Sequence, residues 1–319
     1  MKKTFLPVLL ALVVQLHAQQ PKDTVVTVSN TSLPVNTGTL SGSIAVPSGP
    51  GKFPLVVIIA GSGPTDRNGN SKAVVNSNSY RILADSLLQY GIASLRYDKR
   101  GVAESAAAGA KEEDTRFTDM VTDAVAWVLL LKKDKRFSKV VIAGHSEGSL
   151  IGMLAAKQAG ADKYISIAGP GMPAAEIIKK QLQAQPKMVQ DLCFARLDTL
   201  ASGKMLVDPP AMLNSLFRPS VQPYLIDWFR YDPRHEIAQL KIPVLIVNGT
   251  TDIQVSTADA DSLHAANPQS QLLIIEGMSH LLKEAPADRA KNIALYNTAP
   301  NEPVKTELVQ AMVNFIRKK

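Results

Sequence analysis

The sequence predicts an α/β fold: a mostly parallel central sheet with helices on both faces and a helical cap inserted into it. Three observations predict it. Apolar runs of strand length alternate with segments whose apolar residues recur at helical spacing. Several runs, beginning with Phe53 to Ala60, are continuously apolar, as expected of strands buried on both faces. One junction, Lys139 to Ala159, reads strand, sharp turn, helix, with a glycine-flanked serine at the bend.

Taken in order, residues 1–18 read as a secretory signal peptide: Lys2-Lys3, an apolar stretch from Phe5 to Leu16, then Leu16-His17-Ala18 before Gln19. Its apolar part is too short to span a bilayer, and no later stretch is long enough. The chain is therefore expected to be exported, periplasmic or secreted, with no stable membrane insertion once the leader is removed. Residues 19–319 are read as one domain. Thr37 to Pro47 alternates like an edge strand and, with the polar segment before it, suggests an antiparallel hairpin. After the strand Phe53 to Ala60 comes a turn-rich loop, Gly61 to Asn70, then a helix from Tyr80 to Gln89 and a strand from Ile92 to Tyr97. A helix from about Thr118 to Lys132 precedes the serine-bearing junction, and Tyr164 to Ala168 is a short strand after it. Residues 174–236 change character, helical and rich in Met, Gln and aromatics, and are read as the inserted cap. The alternation resumes with the strand Ile242 to Val247, a helix around 257–266, the strand Gln271 to Ile275, and an amphipathic helix from about Val304 to Arg317.

The junction carries the chemistry. In Gly144-His145-Ser146-Glu147-Gly148 the serine sits where a strained strand-to-helix turn exposes its hydroxyl, and that context makes the motif a nucleophile elbow. A hydroxyl so placed needs a base and an acid. Of five histidines, His17 leaves with the leader and His145 adjoins the serine, pointing away. His235 belongs to the cap, and His264 lies within a helix. His280 follows the last strand in a loop at the sheet's C-terminal edge, where ligands gather in open α/β sheets, and is the expected base. Asp252, on the loop after the preceding strand, is the expected acid. Asp259 and Asp261 fall in the next helix and are expected to be solvated. The order Ser146, Asp252, His280 is the one known for triads on such sheets. Oxyanion donors are expected from the backbone N–H groups of Glu147 and of Ser62, with Gly63 the second choice for the latter.

With net charge +7 but no basic stripe interleaved with aromatics, a nucleic-acid partner is not expected. No His/Cys/Asp cluster has ligand spacing, so no metal or cofactor is expected. Cys193, the single cysteine, is expected to be a buried small hydrophobe.

The chain resembles an α/β-hydrolase in its three motif loops: Gly144 to Gly148, Val247 to Asp252 and Gly277 to His280. Gly61 to Gly69 together with Arg96-Tyr97-Asp98-Lys99-Arg100-Gly101 resembles a branch of exported bacterial esterases and acyl hydrolases. That resemblance implies a serine hydrolase acting on small-molecule esters. The same residues leave open an exported aminopeptidase or amidase, or a binding protein on a hydrolase scaffold. Glu147 departs from the small or apolar residue of many members. If buried it needs a partner, with Arg67 and Lys99 the candidates; a solvent-facing carboxylate is the alternative.

Overall fold

The computed structural model describes residues 26–318 apart from residue 73; the expected leader lies outside them. Eight strands form one sheet: β1 (Val26–Val35), β2 (Gly38–Pro47), β3 (Phe53–Ile59), β4 (Ala93–Tyr97), β5 (Phe137–His145), β6 (Lys163–Ile167), β7 (Val244–Gly249) and β8 (Gln271–Ile275). Their spatial order is β1-β2-β4-β3-β5-β6-β7-β8. β2 pairs antiparallel with β1 and β4, and the other pairs are parallel. The hairpin expected at the start of the sheet is therefore its antiparallel edge.

The period-2 alternation of β3 divides between two cores. Leu55, Val57 and Ile59 face a cluster with α2 (Phe117–Lys132) and α3 (Glu147–Ala159). Val56, Ile58 and Ala60 face a second one with α1 (Ser79–Gln89). Helices thus cover both faces, which is why the central strands read as unbroken apolar runs.

Between β6 and β7 lie α4 (Ala174–Leu182), α5 (Lys187–Ala201), α6 (Asn214–Phe217), α7 (Gln222–Phe229) and α8 (Pro233–Ala238). This cap has its own core, in which Cys193, Leu197, Leu200, Phe217 and Phe229 are buried. Cys193 is the small hydrophobe expected. After β7 come α9 (Thr257–Ala266), α10 (Arg289–Thr298) and α11 (Thr306–Arg317). No helix among the described residues is long and apolar enough to cross a membrane.

The topology fixes where a site can form. The chain steps from β3 outward to β4, then crosses back past β3 to β5. A crevice opens at the carboxyl ends of the strands where that direction reverses. Gly61 and Ser62 follow β3, and Ser146 follows β5.

Candidate active site

Ser146 occupies the bend between β5 and α3 with φ 55° and ψ −123°, a conformation that costs a non-glycine residue free energy and clusters at functional sites. Its N–H donates to the Ile167 carbonyl at 3.0 Å, tying the bend to the end of β6. Close approach explains the glycine two residues on: a Cβ at Gly148 would sit 2.5 Å from the carbonyl oxygens of Ile59 and Ala60. The elbow and the end of β3 are therefore in backbone contact, which sets Ser146 beside the Gly61–Ser62 loop.

That loop is held from β4. The Asp98 carboxylate accepts the Arg67 N–H at 2.7 Å, and Arg96 donates to the Arg67 carbonyl at 3.3 Å and to the Asn68 side chain. Asp66 turns the loop by accepting the N–H groups of Asn68 and Asn70 at 2.8 and 2.9 Å. The two motifs quoted for the resemblance are thus one structural unit, the second fastening the first.

His280 lies in a tight turn after β8, where the Ser279 N–H donates to the Lys283 carbonyl and the Leu282 N–H to the Ser279 carbonyl, both at 2.9 Å. Its Nδ1 is 2.8 Å from Asp252 Oδ2. The other carboxylate oxygen accepts the N–H groups of Gln254 and Val255 at 2.8 and 2.9 Å. With Nδ1–H given to a carboxylate that has no proton to offer, Nε2 is left as the acceptor. The two loops meet because Gly249 has no side chain; a Cβ there would lie 1.9 Å from the Met278 carbonyl.

Ser146, His280, Gly61 and Ser62 line one cavity of about 430 Å³. A second, of about 360 Å³, shares Ser62, Ser146 and Gln254 and is walled by the cap through Ile177, Ile178, Leu182, Leu216, Leu225 and Trp228. The cap residues therefore serve both its own core and the wall of a chamber beside the serine.

His145 takes part in a buried hydrogen-bond network beside the site. The Gly61 N–H donates to the Tyr80 hydroxyl at 3.1 Å. That hydroxyl lies 2.7 Å from His145 Nδ1, and His145 Nε2 lies 3.0 Å from the His280 carbonyl. The carbonyl can only accept, so Nε2 carries the proton and Nδ1 accepts from Tyr80. Burial and the neighbouring His280 hold His145 well below the usual histidine range, so it is neutral.

One expectation needs correcting, and one pair of open alternatives is decided. Asp259 is fully buried, not solvated. It caps α9 by accepting from Ser256 and pairs with Lys180 of the cap at 3.1 Å. Glu147 is buried, not solvent-facing, and of its two candidate partners only Lys99 is in place, 3.9 Å away. Arg67 is engaged by Asp98 and Glu104. The partner that sequence reasoning missed is Tyr224, whose hydroxyl donates to Glu147 at 2.7 Å from the cap.

A family model described as serine aminopeptidase, S33, matches residues 74–210, which include Ser146 but neither Asp252 nor His280. Esterase EstD of Thermotoga maritima is 30% identical over 254 residues, which are 76% of this chain and 58% of that protein. The chain thus spans less than two thirds of that relative. The structure of Est1E from Butyrivibrio proteoclasticus with ferulic acid bound superposes with TM-score 0.62 at 23% identity, covering 90% of this chain and 100% of that one. GrgF, an α/β hydrolase from Penicillium sp. sh18, gives 0.59 at 16% identity, covering 91% and 98%.

Proposed function

We propose that the chain is an α/β-hydrolase, the reading its similarities support, and a serine hydrolase that cleaves carboxylic esters through an acyl-enzyme on Ser146. The observation that carries this reading is His280 Nδ1 at 2.8 Å from Asp252, with the imidazole and Ser146 on the wall of one cavity. In the reaction His280 Nε2 takes the Ser146 proton as the hydroxyl attacks the ester carbonyl, then returns it to the leaving alcohol. Water repeats the sequence to release the acid. Asp252 holds the imidazole in the Nδ1–H tautomer and stabilises its charged form. The N–H groups of Glu147 and Ser62 receive the tetrahedral oxygen's negative charge.

The matched family's description favours an aminopeptidase as the second reading. Binding a substrate's ammonium group needs a free carboxylate in the cavities, and the acidic side chain lining them, among the described residues, is Glu147. Lys99 and Tyr224 already engage it. Four acids of the cap pair with neighbours outside the cavities: Asp198 and Glu176 with Lys179, Asp191 with Lys187, Asp232 with Arg234. Esters are therefore the better substrate class.

Ser146→Ala is expected to abolish hydrolysis of p-nitrophenyl esters with the fold intact by circular dichroism; retained turnover would place the nucleophile elsewhere. Aminoacyl-anilides assayed beside the esters test the second reading. Export belongs to the same proposal, resting on residues 1–18, and N-terminal sequencing of the mature protein is expected to begin at Gln19.

A further inference from the structure

The proposed reaction leaves a set of buried charges without a role. Lys99, just past the end of β4, is 6% exposed and Glu147, the first residue of α3, is 3% exposed. Their charged atoms are 3.9 Å apart, too far for a hydrogen bond. The short contacts go elsewhere. The Lys99 ammonium donates to the Gly61 carbonyl at 2.6 Å, and Glu147 accepts from Tyr224 at 2.7 Å. Burying an ion pair is weak support for stability, so what this one does to the loop decides its meaning. Burial pushes the Lys99 ammonium below its usual range and the charge of Glu147 partly restores it.

The Gly61 carbonyl and the Ser62 N–H belong to the same peptide unit. In a trans peptide these two groups point in opposite directions across one rigid plane. Holding the carbonyl from the β4 side therefore determines where the Ser62 N–H points. An ammonium on the carbonyl also polarises the unit and strengthens the N–H as a donor. The preceding N–H, that of Gly61, is fixed independently by Tyr80 at 3.1 Å, so the loop has little freedom to turn on its own.

We propose that Lys99 is a positioning residue for the oxyanion hole: it aims the Ser62 N–H into the cavity at Ser146, with the Glu147 carboxylate and Tyr224 holding it in place and linking it to the cap. Glu147 then acts twice, through its N–H as the second donor and through its side chain as the counter-charge of the residue that sets the first. This inference rests on the esterase reading of Ser146.

Lys99→Met removes the grip on Gly61 but strands a buried carboxylate, so the double variant K99M/E147Q, neutral throughout, is measured with it. Three quantities are read for each: kcat and KM on p-nitrophenyl butyrate, and Ki for a trifluoromethyl ketone, which binds as a tetrahedral adduct. Both variants are expected to lose about 10- to 100-fold in kcat, short of full loss of a donor, with KM within about threefold, the pattern of an interaction made in the transition state. Ki for the ketone is expected to rise in proportion. A folded double variant with wild-type kcat overturns the proposal, and so does a fall in kcat with ketone affinity unchanged. Ser146→Ala assayed alongside separates the two readings: turnover surviving in it sinks the esterase reading itself. An inert Ser146→Ala beside a fully active double variant sinks this inference alone.

Discussion

His145 shows how much one proton constrains. Its neutral Nε2–H tautomer follows from its two partners: the His280 carbonyl can only accept, and the Tyr80 hydroxyl, which accepts from Gly61, donates its own proton to Nδ1. Tyr80→Phe would leave two buried groups unsatisfied, the Gly61 N–H and His145 Nδ1, at roughly 1–3 kcal/mol each. Urea unfolding is expected to show a loss of about 2–6 kcal/mol for that variant; a change within error would mean that the network contributes nothing to the fold. Asp252→Asn is expected to leave stability nearly intact while kcat falls on the order of 10³- to 10⁴-fold, because the imidazole would adopt the wrong tautomer; single-turnover kinetics on a p-nitrophenyl ester measures it. That Ser146, Asp252 and His280 would come to one edge of the sheet was legible because each follows a strand at the edge where parallel sheets collect ligands, and local order alone identifies such places. Tyr80 and Tyr224 were not, since they reach His145 and Glu147 from 65 and 77 positions away and nothing local announces a contact at that range. Asp259 was misread because its place within a helix says nothing of the cap residue Lys180 that pairs with it.

Among the elements, the elbow is one whose sequence admits little change. With Cβ placed 2.5 Å from two carbonyl oxygens, Gly148→Ala cannot be accommodated without parting α3 from the end of β3. The variant is expected to fail to label with a fluorophosphonate and to unfold at markedly lower urea; full labelling would show that the two elements separate without consequence. Most elements were read within two residues of their observed bounds, since long apolar periodic segments declare themselves. α10 was not read at all, because Asn292 is the buried residue of this otherwise largely exposed helix and it presents no apolar stripe. What fastens that region is polar: Lys283 donates to the carbonyls of Ser77 and Ala299 at 2.6 Å each. Burial lowers its ammonium from the usual range to about 8, and a neutral amine still has a hydrogen for each carbonyl. The lowered folded value means the unfolded chain holds more protons between about pH 8 and the ordinary lysine range, so stability from this group rises with pH across that window and its burial cost is fully present below it. Replacing Lys283 by Met is expected to flatten the pH dependence of urea midpoints above pH 8 relative to the wild type; an unaltered profile would assign that dependence to other groups.

On the scale of the whole molecule, the cap completes the site. Among its fastenings are Tyr224 to Glu147 at the elbow, Asp227 to the Thr118 N–H and hydroxyl at 2.9 and 2.8 Å, Lys180 to Ser256 and Asp259 at 2.8 and 3.1 Å, and Arg218 to Glu112 at 2.8 Å. Trp228 also stacks on Phe117 of α2 with ring centres 6.0 Å apart. Periodicity could not say whether the apolar cap residues were core or pocket, because one helix face serves both once the cap is seated. Seated, it divides the space at Ser146 in two: a cavity lined by the polar Gly61–Ser62 loop and His280, and the apolar chamber of about 360 Å³ beneath α4 and α7. The apolar side suits the acyl chain, whose burial contributes about 0.8 kcal/mol per methylene. Ile178→Trp would fill part of that chamber. Denying burial to two methylenes, about 1.6 kcal/mol in all, corresponds to roughly a tenfold loss in kcat/KM. p-Nitrophenyl octanoate is therefore expected to lose about tenfold relative to the acetate, whose short acyl group does not reach Ile178. Equal losses on both esters, or none on either, would mean that the acyl chain lies in the other cavity.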